Sequence, residues 1–456
     1  MRRCSTRFGP LFQQTNVRLP CDQRLADAER CVDIVKRCDE SGLTTDAAQT
    51  ALLYYKVAEN FPTDSQHARQ MVETSIQFSE SHGLSPVPPT QIWLGDRANE
   101  SGDFAAAVKY FQRGIELYEA MGADPEKRDR YIERWLSAVD TAKLAKVHEK
   151  LDQKAEAEAA YRRASESARQ LFSEYHENRL FRDAFRDRIS DLTRFLQHEG
   201  RTNEAISAVE KFIKETPEFE GIYLAQGALL EKNKQFDLAL AAYAKAIELS
   251  PLDFRCHNAM ALFKNHVMHP AYRDYDQALT HSRKAVELAP QDSASVVQLA
   301  EILTSRFSEH QQALVLLSGV LEVAPTFGPA LMIRSKIHRT MGQLDAALAD
   351  ANSAVKYAPN TWSYLERSGL HFASGRTEPG LADLQRAELA DPDNSYVFAA
   401  RADYLMGRGE HMAAIVDLNR SIELAPNHSW TIKRRGEAHF QSGNYHEALT
   451  DFGRSI

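Results

Sequence analysis

The stretch that decides the fold is residues 395–427, SYVFAARADYLMGRGEHMAAIVDLNRSIELAPN. It contains two segments with the apolar spacing of a helix, separated by the turn MGRG and closed by Pro426. Proline ends the second segment because it lacks the backbone N–H of the helical ladder and restricts the residue before it. The stretch therefore predicts a hairpin of two antiparallel helices, here named helix A and helix B.

The same pattern recurs at a nearly constant interval along the C-terminal half of the chain. Seven prolines close it, separated by 34, 39, 35, 34, 33 and 34 residues: Pro217, Pro251, Pro290, Pro325, Pro359, Pro392 and Pro426. A column of small residues in helix B keeps the same step: Ala205, Ala239, Ala278, Ala313, Ala347, Gly380, Ala414 and Ala448. Such a period indicates a solenoid, because one hairpin leaves apolar surface on both flanks and its neighbours must cover it.

The phase of the aromatic, small, Ala and Pro positions over residues 186–456 resembles the tetratricopeptide repeat (TPR) family, in the form of a bacterial-type array. This resemblance implies an all-α fold, a right-handed α-solenoid of stacked antiparallel helix pairs. Two departures occur, about five extra residues within 265–275 and one within 306–311. Residues 91–122 and 143–170 match the same template at a longer spacing, which longer helices would explain.

These patterns predict four parts of the chain. Residues 1–21 contain four Arg and no acidic residue, and are expected to be a disordered or targeting-like tail. Residues 22–89 contain N-terminal helices and the Pro-rich linker SPVPP. Residues 90–185 form long-helix TPR-like repeats, and residues 186–456 form the regular array, whose last repeat is truncated. A disordered tail, or a start assigned too early, is preferred to an organelle presequence.

Arg401 stands where the helical period predicts a buried side chain. It belongs to a column in which an Asp follows each Arg after 16 residues, with a glycine at the midpoint: Arg334–Gly342–Asp350, Arg367–Gly375–Asp383, Arg401–Gly409–Asp417 and Arg435–Gly443–Asp451. Residues equidistant from a hairpin turn lie opposite each other, here roughly 12 Å from the turn. Each Arg should therefore face its Asp, in a structural and not a catalytic role.

Other hairpins support this pairing, because neither of their equivalent sites is charged: Leu94 with Tyr110, Leu192 with Ala208, and Gln226 with Ala242. The alternative is a set of exposed charges whose spacing is coincidental. If the pairs are buried, Arg401→Ala should destabilise the protein by roughly 2 to 4 kcal/mol, because it leaves a carboxylate unpaired.

Composition excludes several classes of function. Lys and Arg number 55 against 63 Asp and Glu, and the net charge of −8 argues against binding nucleic acid or an anionic membrane. No apolar run approaches the roughly 18 to 20 residues that span a bilayer. The cysteines are odd in number and form no C-x-x-C pair, so we expect a reducing compartment and a cytoplasmic location: Cys4, Cys21, Cys31, Cys38 and Cys256.

The sequence contains no Gly-rich phosphate loop, no G-x-S-x-G elbow and no H-E-x-x-H helix. Cys256, His257, His266 and His269 cluster around the first departure from the repeat, but their spacing fits no zinc pattern. We therefore expect no catalytic residues, no metal and no cofactor. A helix with a polar face that runs into an irregular turn explains the His cluster.

The remaining candidate is a partner-binding surface. Trp362, Tyr396 and Trp430 occupy one repeat position at the start of successive helices A, where the TPR resemblance implies a concave groove for partner peptides or helices. Lys433 and Arg434 would add positive charge for an acidic segment. The alternative is that the three rings only fasten each helix start onto the preceding repeat.

These observations predict a non-catalytic scaffold that binds protein or peptide partners. An alternative is the TPR arm of a larger enzyme, such as a kinase or glycosyltransferase. RNA binding by helical repeats is a third class, disfavoured by the net charge. The last repeat stops without a closing proline, so we expect either that the native chain continues or that the apolar flank of residues 445–456 pairs with another copy.

Overall fold

The structure is a computed structural model that describes residues 66–122, 131–267 and 269–455, together with residues 51, 52, 54, 55 and 58. Within these residues it consists of α-helices and one short 3-10 helix, without strands, which confirms the all-α solenoid class. The predicted tail, residues 22–50 of the part predicted to contain the N-terminal helices, and the four N-terminal cysteines lie outside the described residues.

The chain divides into two compact units, and each is described by itself. The N-terminal unit is Met1–Asn233. Its helices are α1 Gln66–Ser81, α2 Pro88–Ser101, α3 Phe104–Gly122, α4 Tyr131–Lys150, α5 Lys154–Glu174, α6 Arg179–His198, α7 Thr202–Glu215 and α8 Glu220–Lys232. Helices α2, α4, α6 and α8 are helices A. The longer repeat spacing here has a simple cause, since α4, α5 and α6 contain 20, 21 and 20 residues.

The C-terminal unit is Lys234–Ile456. Its helices are α9 Phe236–Leu249, α10 Phe254–His266, α11 Tyr275–Leu288, α12 Ser293–Phe307, α13 His310–Val323, α14 Gly328–Thr340, α15 Leu344–Tyr357, α16 Thr361–Ala373, α17 Thr377–Ala390, α18 Ser395–Gly407, α19 His411–Leu424, α20 Ser429–Gln441 and α21 Tyr445–Arg454. After α9, consecutive helices pair into six hairpins, α10–α11 to α20–α21. The four-part division expected from the sequence stays a prediction.

The column of small residues lies at the crossing of helix B with its neighbours. Ala347 and Ala414 are fully buried, and so are Ala205 in the N-terminal unit and Ala278 in the C-terminal unit. At Gly380 a methyl group would already meet the ring of Phe372 at 2.5 Å. Only a very small side chain fits at this crossing, and that explains why the column repeats.

The ends of the helices follow from local chemistry. Helix α19 ends at Leu424, two residues before Pro426, and α15 ends at Tyr357, two residues before Pro359. After α15 an Asn side chain accepts a hydrogen bond from the first turn of the next helix A, because Asn360 accepts from Ser363 N at 3.0 Å. Such a cap satisfies an otherwise unpaired N–H and contributes about 1 kcal/mol.

The extra residues between α10 and α11 form an ordered turn. It contains the 3-10 helix Pro270–Tyr272, and the ring of Tyr272 lies 5.5 Å from that of Phe236 and 5.4 Å from that of His269. Arg273 closes the turn by donating a hydrogen bond to the carbonyl of Val267 at 2.7 Å. The longer connection therefore packs on the start of α9, and the repeat continues after it.

Candidate partner-binding surface

Trp362, Tyr396 and Trp430 lie in the first turns of α16, α18 and α20, all of them helices A. Their exposed fractions are 49%, 45% and 44%. Large aromatic side chains that remain half exposed are unusual in a packed array and are enriched at binding surfaces. The structure thus places all three at equivalent positions on one unit.

The rings form a continuous row. The centroids of Trp362 and Tyr396 are 5.1 Å apart, Tyr396 lies 5.3 Å from the ring of His428, and His428 lies 6.1 Å from Trp430. We name these four residues the aromatic row. Because Trp362 and Tyr396 each contact a ring of the next repeat, the row has a packing role, yet about half of each large ring still faces solvent.

His428 is a member of the row that the sequence analysis missed. It stands at the repeat position that Asn360 and Asn394 occupy in the preceding repeats, where both act as helix caps. Its ring instead fills the space between Tyr396 and Trp430, and its Nδ1 lies 2.5 Å from the Thr431 hydroxyl. The sequence signal that could have revealed this residue is a His at a repeat position that is Asn in the two preceding repeats.

The two cations expected beside Trp430 differ in their environment. Arg434 lies over the Trp430 ring at 5.8 Å and donates hydrogen bonds to Asp403 at 2.7 Å and to Glu437 at 2.6 Å. Two carboxylates therefore balance its charge, and it links α20 to α18. Lys433 is exposed and forms no ion pair with any residue in the described part of the chain. The free positive charge at this end of the row belongs to Lys433.

The four Arg side chains face their Asp partners inside the hairpins. In each pair Nε and Nη2 of the guanidinium donate to the two carboxylate oxygens, at distances of 2.6 to 2.9 Å: Arg334–Asp350, Arg367–Asp383, Arg401–Asp417 and Arg435–Asp451. The Asp side chains are 1 to 11% exposed and the Arg side chains 16 to 32%. The planar fork matches a carboxylate, so each pair compensates its own desolvation.

The third nitrogen of the fork reaches the preceding repeat. Nη1 of Arg367 donates to Asn352 at 3.2 Å, that of Arg401 to Glu388 at 2.8 Å, and that of Arg435 to Asn419 at 2.8 Å. Each of these Arg residues thereby joins helix A and helix B of its own hairpin to helix B of the hairpin before it.

The Cys and His residues near the first departure do not converge. Cys256 is buried, and His257 lies against His281, with 3.0 Å between their Nδ1 atoms. Burial lowers the pKa of His281, which favours the neutral form of this residue. His266 contacts Asn265, whereas His269 belongs to the aromatic turn. Over the described residues, three or more His, Cys, Asp or Glu side chains come together nowhere in a way that could hold a metal ion.

Comparison with known proteins agrees with the repeat architecture. Two family models described as tetratricopeptide repeat match residues 197–254 and 142–171. A relative from Xenopus laevis, tetratricopeptide repeat protein 37, is 23% identical over 195 residues, which are 41% of this chain and 12% of that protein. The chain is a tetratricopeptide repeat protein. The chain covers only a small part of the length of this relative. The prediction that the array is of a bacterial type stays a prediction.

Solved structures of similar fold include yeast Tom70, at 13% identity and a TM-score of 0.45, covering 92% of this chain and 96% of that one. The Cut9–Hcn1 hetero-tetramer of the APC/C matches at 15% identity and a TM-score of 0.44, covering 86% and 83%. At such identities the likeness concerns the fold alone. Among the helices that the structure describes, none is long and apolar enough to cross a membrane.

Proposed function

We propose that this protein is a non-catalytic scaffold that binds protein segments along the aromatic row. The observation that supports it is a row of three large rings, 44 to 49% exposed, at one repeat position of a TPR protein. TPR proteins are in general protein–protein interaction scaffolds. The cytoplasmic location and the exclusion of nucleic acid stay predictions.

The row offers a partner a useful amount of binding energy. A half-exposed Trp or Tyr leaves on the order of 100 Å² for a partner to cover, or about 2 kcal/mol per ring. The rings are held by contacts between repeats, so little side-chain entropy is lost on binding. Lys433 would attract a carboxylate at the Trp430 end, whereas Arg434 is engaged by Asp403 and Glu437.

The test is affinity capture with the wild type and a variant that carries Trp362→Ala, Tyr396→Ala and Trp430→Ala. Proteins that depend on the row should be lost from the variant and should bind the wild type again after purification. A matched control carries Val315→Ala, Leu389→Ala and Val416→Ala, which are 66%, 76% and 68% exposed on helices B. Recovery of the same proteins by the row variant and the wild type would refute the proposal.

Self-association is a second candidate that one observation favours. Leu449 in α21 is 73% exposed, whereas Leu348 and Ile415 at the same repeat position are 8% and 7% exposed. Phe440 and Tyr445 beside it are 53% and 66% exposed. A second copy would cover this flank as the next repeat covers the earlier ones, and native sequence beyond residue 456 would cover it in the same way. Light scattering should then give a dimer for the wild type and a monomer for Leu449→Glu.

The enzyme-arm alternative predicts the same scaffold attached to a catalytic domain. The charged side chains of the four Arg–Asp pairs are bound to each other, which supports a structural role for them. Native sequence beyond residue 456 that encodes a kinase or glycosyltransferase domain would favour this alternative.

A further inference from the structure

The hairpin α10–α11 lacks the Arg–Asp pair of the last four hairpins. Counted from the small residue of helix B, His281 stands at the repeat position of Asp350 in α15. Met260, which is 5% exposed, stands at the repeat position of Arg334 in α14. His281 instead contacts His257, which lies about one helical turn before Met260. Two imidazoles, here named the His pair, thus occupy the seam where the later hairpins place a guanidinium and a carboxylate.

The two rings of the His pair meet head-on. Their Nδ1 atoms are 3.0 Å apart and their centroids 5.3 Å, which is close to the largest separation that two rings in such contact can have. Nε2 of His257 lies 3.0 Å from the carbonyl oxygen of Pro251, which can only accept, so this nitrogen carries a hydrogen. In the neutral pair, Nδ1 of His257 is then the acceptor and Nδ1 of His281 the donor. Only one hydrogen lies between the two Nδ1 atoms.

The surroundings of the His pair oppose a positive charge. His257 is 8% exposed, and Lys264 on the same helix is 9% exposed. Burial lowers the pKa of His281, and the nearby His257 and Lys264 lower it further. The polar contacts of the two rings are to each other and to the Pro251 carbonyl, so in the described part of the chain the ring nitrogens engage no carboxylate.

The carboxylates on the segments around the His pair have partners of their own. Their contacts measure 2.5 to 2.9 Å: Glu248 of α9 with Lys245, Asp253 before α10 with Arg255, Glu287 of α11 with Lys284, and Asp292 before α12 with Ser295. A proton added to the His pair therefore places a positive charge near Lys264 that no carboxylate bound to the rings balances.

We propose that the His pair is an acid-sensitive switch, which holds the hairpin α10–α11 closed at neutral pH and lets it open locally in mild acid. The closed pair can add one proton at most, at Nε2 of His281, whereas the open hairpin can add one to each ring. Contacts in a repeat array are made mainly between neighbours, so one hairpin can open while distant ones stay folded. Opening uncovers Cys256 and Phe263, which are 0% and 1% exposed.

The direction of the pH response follows from proton linkage. The pKa of His281 in the folded state lies below its ordinary value of 6.5, so the open hairpin binds more protons below that pH. The stability that the neutral ring contributes is complete above pH 6.5 and falls as the pH drops below it. The inference goes beyond the proposed scaffold function, because it adds a response to pH, and it uses no residue of the aromatic row.

The experiment is hydrogen–deuterium exchange of the full chain, read by mass spectrometry on peptides from each hairpin and corrected for the pH dependence of the chemical step. Between about pH 7.5 and about pH 5.5, the opening constant of α10–α11 should rise at least about tenfold, because the open state binds at least one more proton. The hairpin α18–α19, which holds the Arg401–Asp417 pair, is the internal reference and should change by less than about twofold.

Two variants test the His pair itself. His257→Gln together with His281→Gln removes both titrations, so its opening constant should differ by less than about twofold between the two pH values, whatever its overall stability. The matched control carries His198→Gln and His446→Gln, at a ring that is 83% exposed and at a second exposed one, and should keep the tenfold response.

His281→Asp gives a response of opposite sign. It places a carboxylate beside His257 and Lys264, at the repeat position where the later hairpins have Asp. A protonated His257 then gains an anionic partner, so this hairpin should open less at about pH 5.5 than at about pH 7.5.

Three results would overturn the inference. The first is an opening constant of α10–α11 in the wild type that does not rise in acid. The second is an acid response of the double Gln variant equal to that of the wild type. The third is an equal rise in α18–α19 and α10–α11, which would assign the response to the whole unit. An acid response of His281→Asp that matches the wild type would likewise contradict the role of the pair.

Discussion

Two sets of hairpins show how one backbone geometry accepts two kinds of interior. In the N-terminal unit the hairpin α6–α7 has Leu192, 1% exposed, at the position that Arg401 occupies in α18. The four hairpins from α14–α15 to α20–α21 place an Arg and an Asp at the corresponding sites. Here these four are named the ion-pair hairpins. The two facing sites of a hairpin therefore need side chains that complement each other, and these side chains can be either apolar or charged.

The surrounding cores differ in the same way. Around α6 the rings of Phe172, Phe185, Phe212 and Phe219 pack together, with Phe185 at 5.8, 5.5 and 5.1 Å from the other three. Aliphatic side chains dominate the largest core of the C-terminal unit, such as Leu299, Leu303 and Leu317. Stability in the first region comes from aromatic burial, and in the ion-pair hairpins part of it depends on pairing charges that burial has desolvated.

The largest loss of stability is expected from a substitution in the aromatic core around α6. Phe185 is fully buried among three other rings, so Phe185→Ala leaves a cavity and should lower the free energy of unfolding by about 4 kcal/mol. Urea denaturation monitored by circular dichroism would measure it. Phe440→Ala, at a ring that is 53% exposed, is the control and should change stability by well under 1 kcal/mol. Equal losses would show that burial does not determine the cost.

The next largest loss of stability is expected from removing one Arg of an ion-pair hairpin. Arg367→Ala should cost about 3 kcal/mol, because Asp383 is 1% exposed and loses its bidentate partner. Arg386 still lies 2.9 Å away, but its side chain is 55% exposed. His371 lies at 3.8 Å, and burial lowers its pKa, which disfavours its charged form. Thermal and urea unfolding would both report the loss.

Two comparisons sharpen that result. Changing Arg367 to Met and Asp383 to Leu together should restore most of the lost stability, since an apolar pair replaces the charged one. Arg401→Ala should cost less, about 2 kcal/mol, because Arg401 is 32% exposed and solvent can reach the remaining carboxylate. A double variant as unstable as the single one would mean that the hairpin needs the charges themselves.

The sequence predicted much of the C-terminal unit because its signals are local. The Ala and Pro columns define hairpins within one repeat, and equal spacing about Gly409 predicts that Arg401 faces Asp417. The hydrogen bonds between these side chains are present in the structure, while their stabilising role stays a prediction. Contacts between repeats were not predicted, such as Arg434 with Asp403, because they depend on how successive hairpins stack.

Two surface hollows of the N-terminal unit were missed for a related reason. Arg194 lines both of them, one together with Lys146 of α4 and the other together with Leu224 of α8. The helices that carry these residues have unequal lengths, so the three residues fall in no common column of the sequence. Sequence periodicity thus identifies the regular region and passes over the irregular one.

A pH experiment contrasts a carboxylate that has one Lys partner with the Arg-bound ones. Asp140 in α4 is 3% exposed, and burial raises its pKa to about 6, although Lys143 lies 3.1 Å away. Its pKa is higher in the folded state than in the unfolded one, so the folded state binds more protons between pH 4 and 6. The contribution of Asp140 to stability should therefore fall as pH rises through this range, by about 2 kcal/mol.

Asp140→Asn removes this titration, so the stability of the variant minus that of the wild type should increase from pH 4 to 7. Other groups that titrate in the same range cancel in the difference, since both proteins contain them. Asp393→Asn, at a carboxylate that is 80% exposed, is the control for the substitution itself. A difference for Asp140→Asn that does not change with pH would show that folding does not raise the pKa of Asp140.

The smallest expected effect concerns the turns. Gly375 has φ +72° with open space around its Cα, so Gly375→Ala adds only the strain of a left-handed backbone and should cost about 1 kcal/mol. Asp152 adopts the same conformation, φ 56°, in the turn between α4 and α5 of the N-terminal unit. Asp152→Gly should relieve this strain and raise stability by about 0.5 kcal/mol. If both substitutions shift urea unfolding in the same direction, the turns of the two units are not equivalent, and the chemistry of the interior alone does not distinguish the two sets of hairpins.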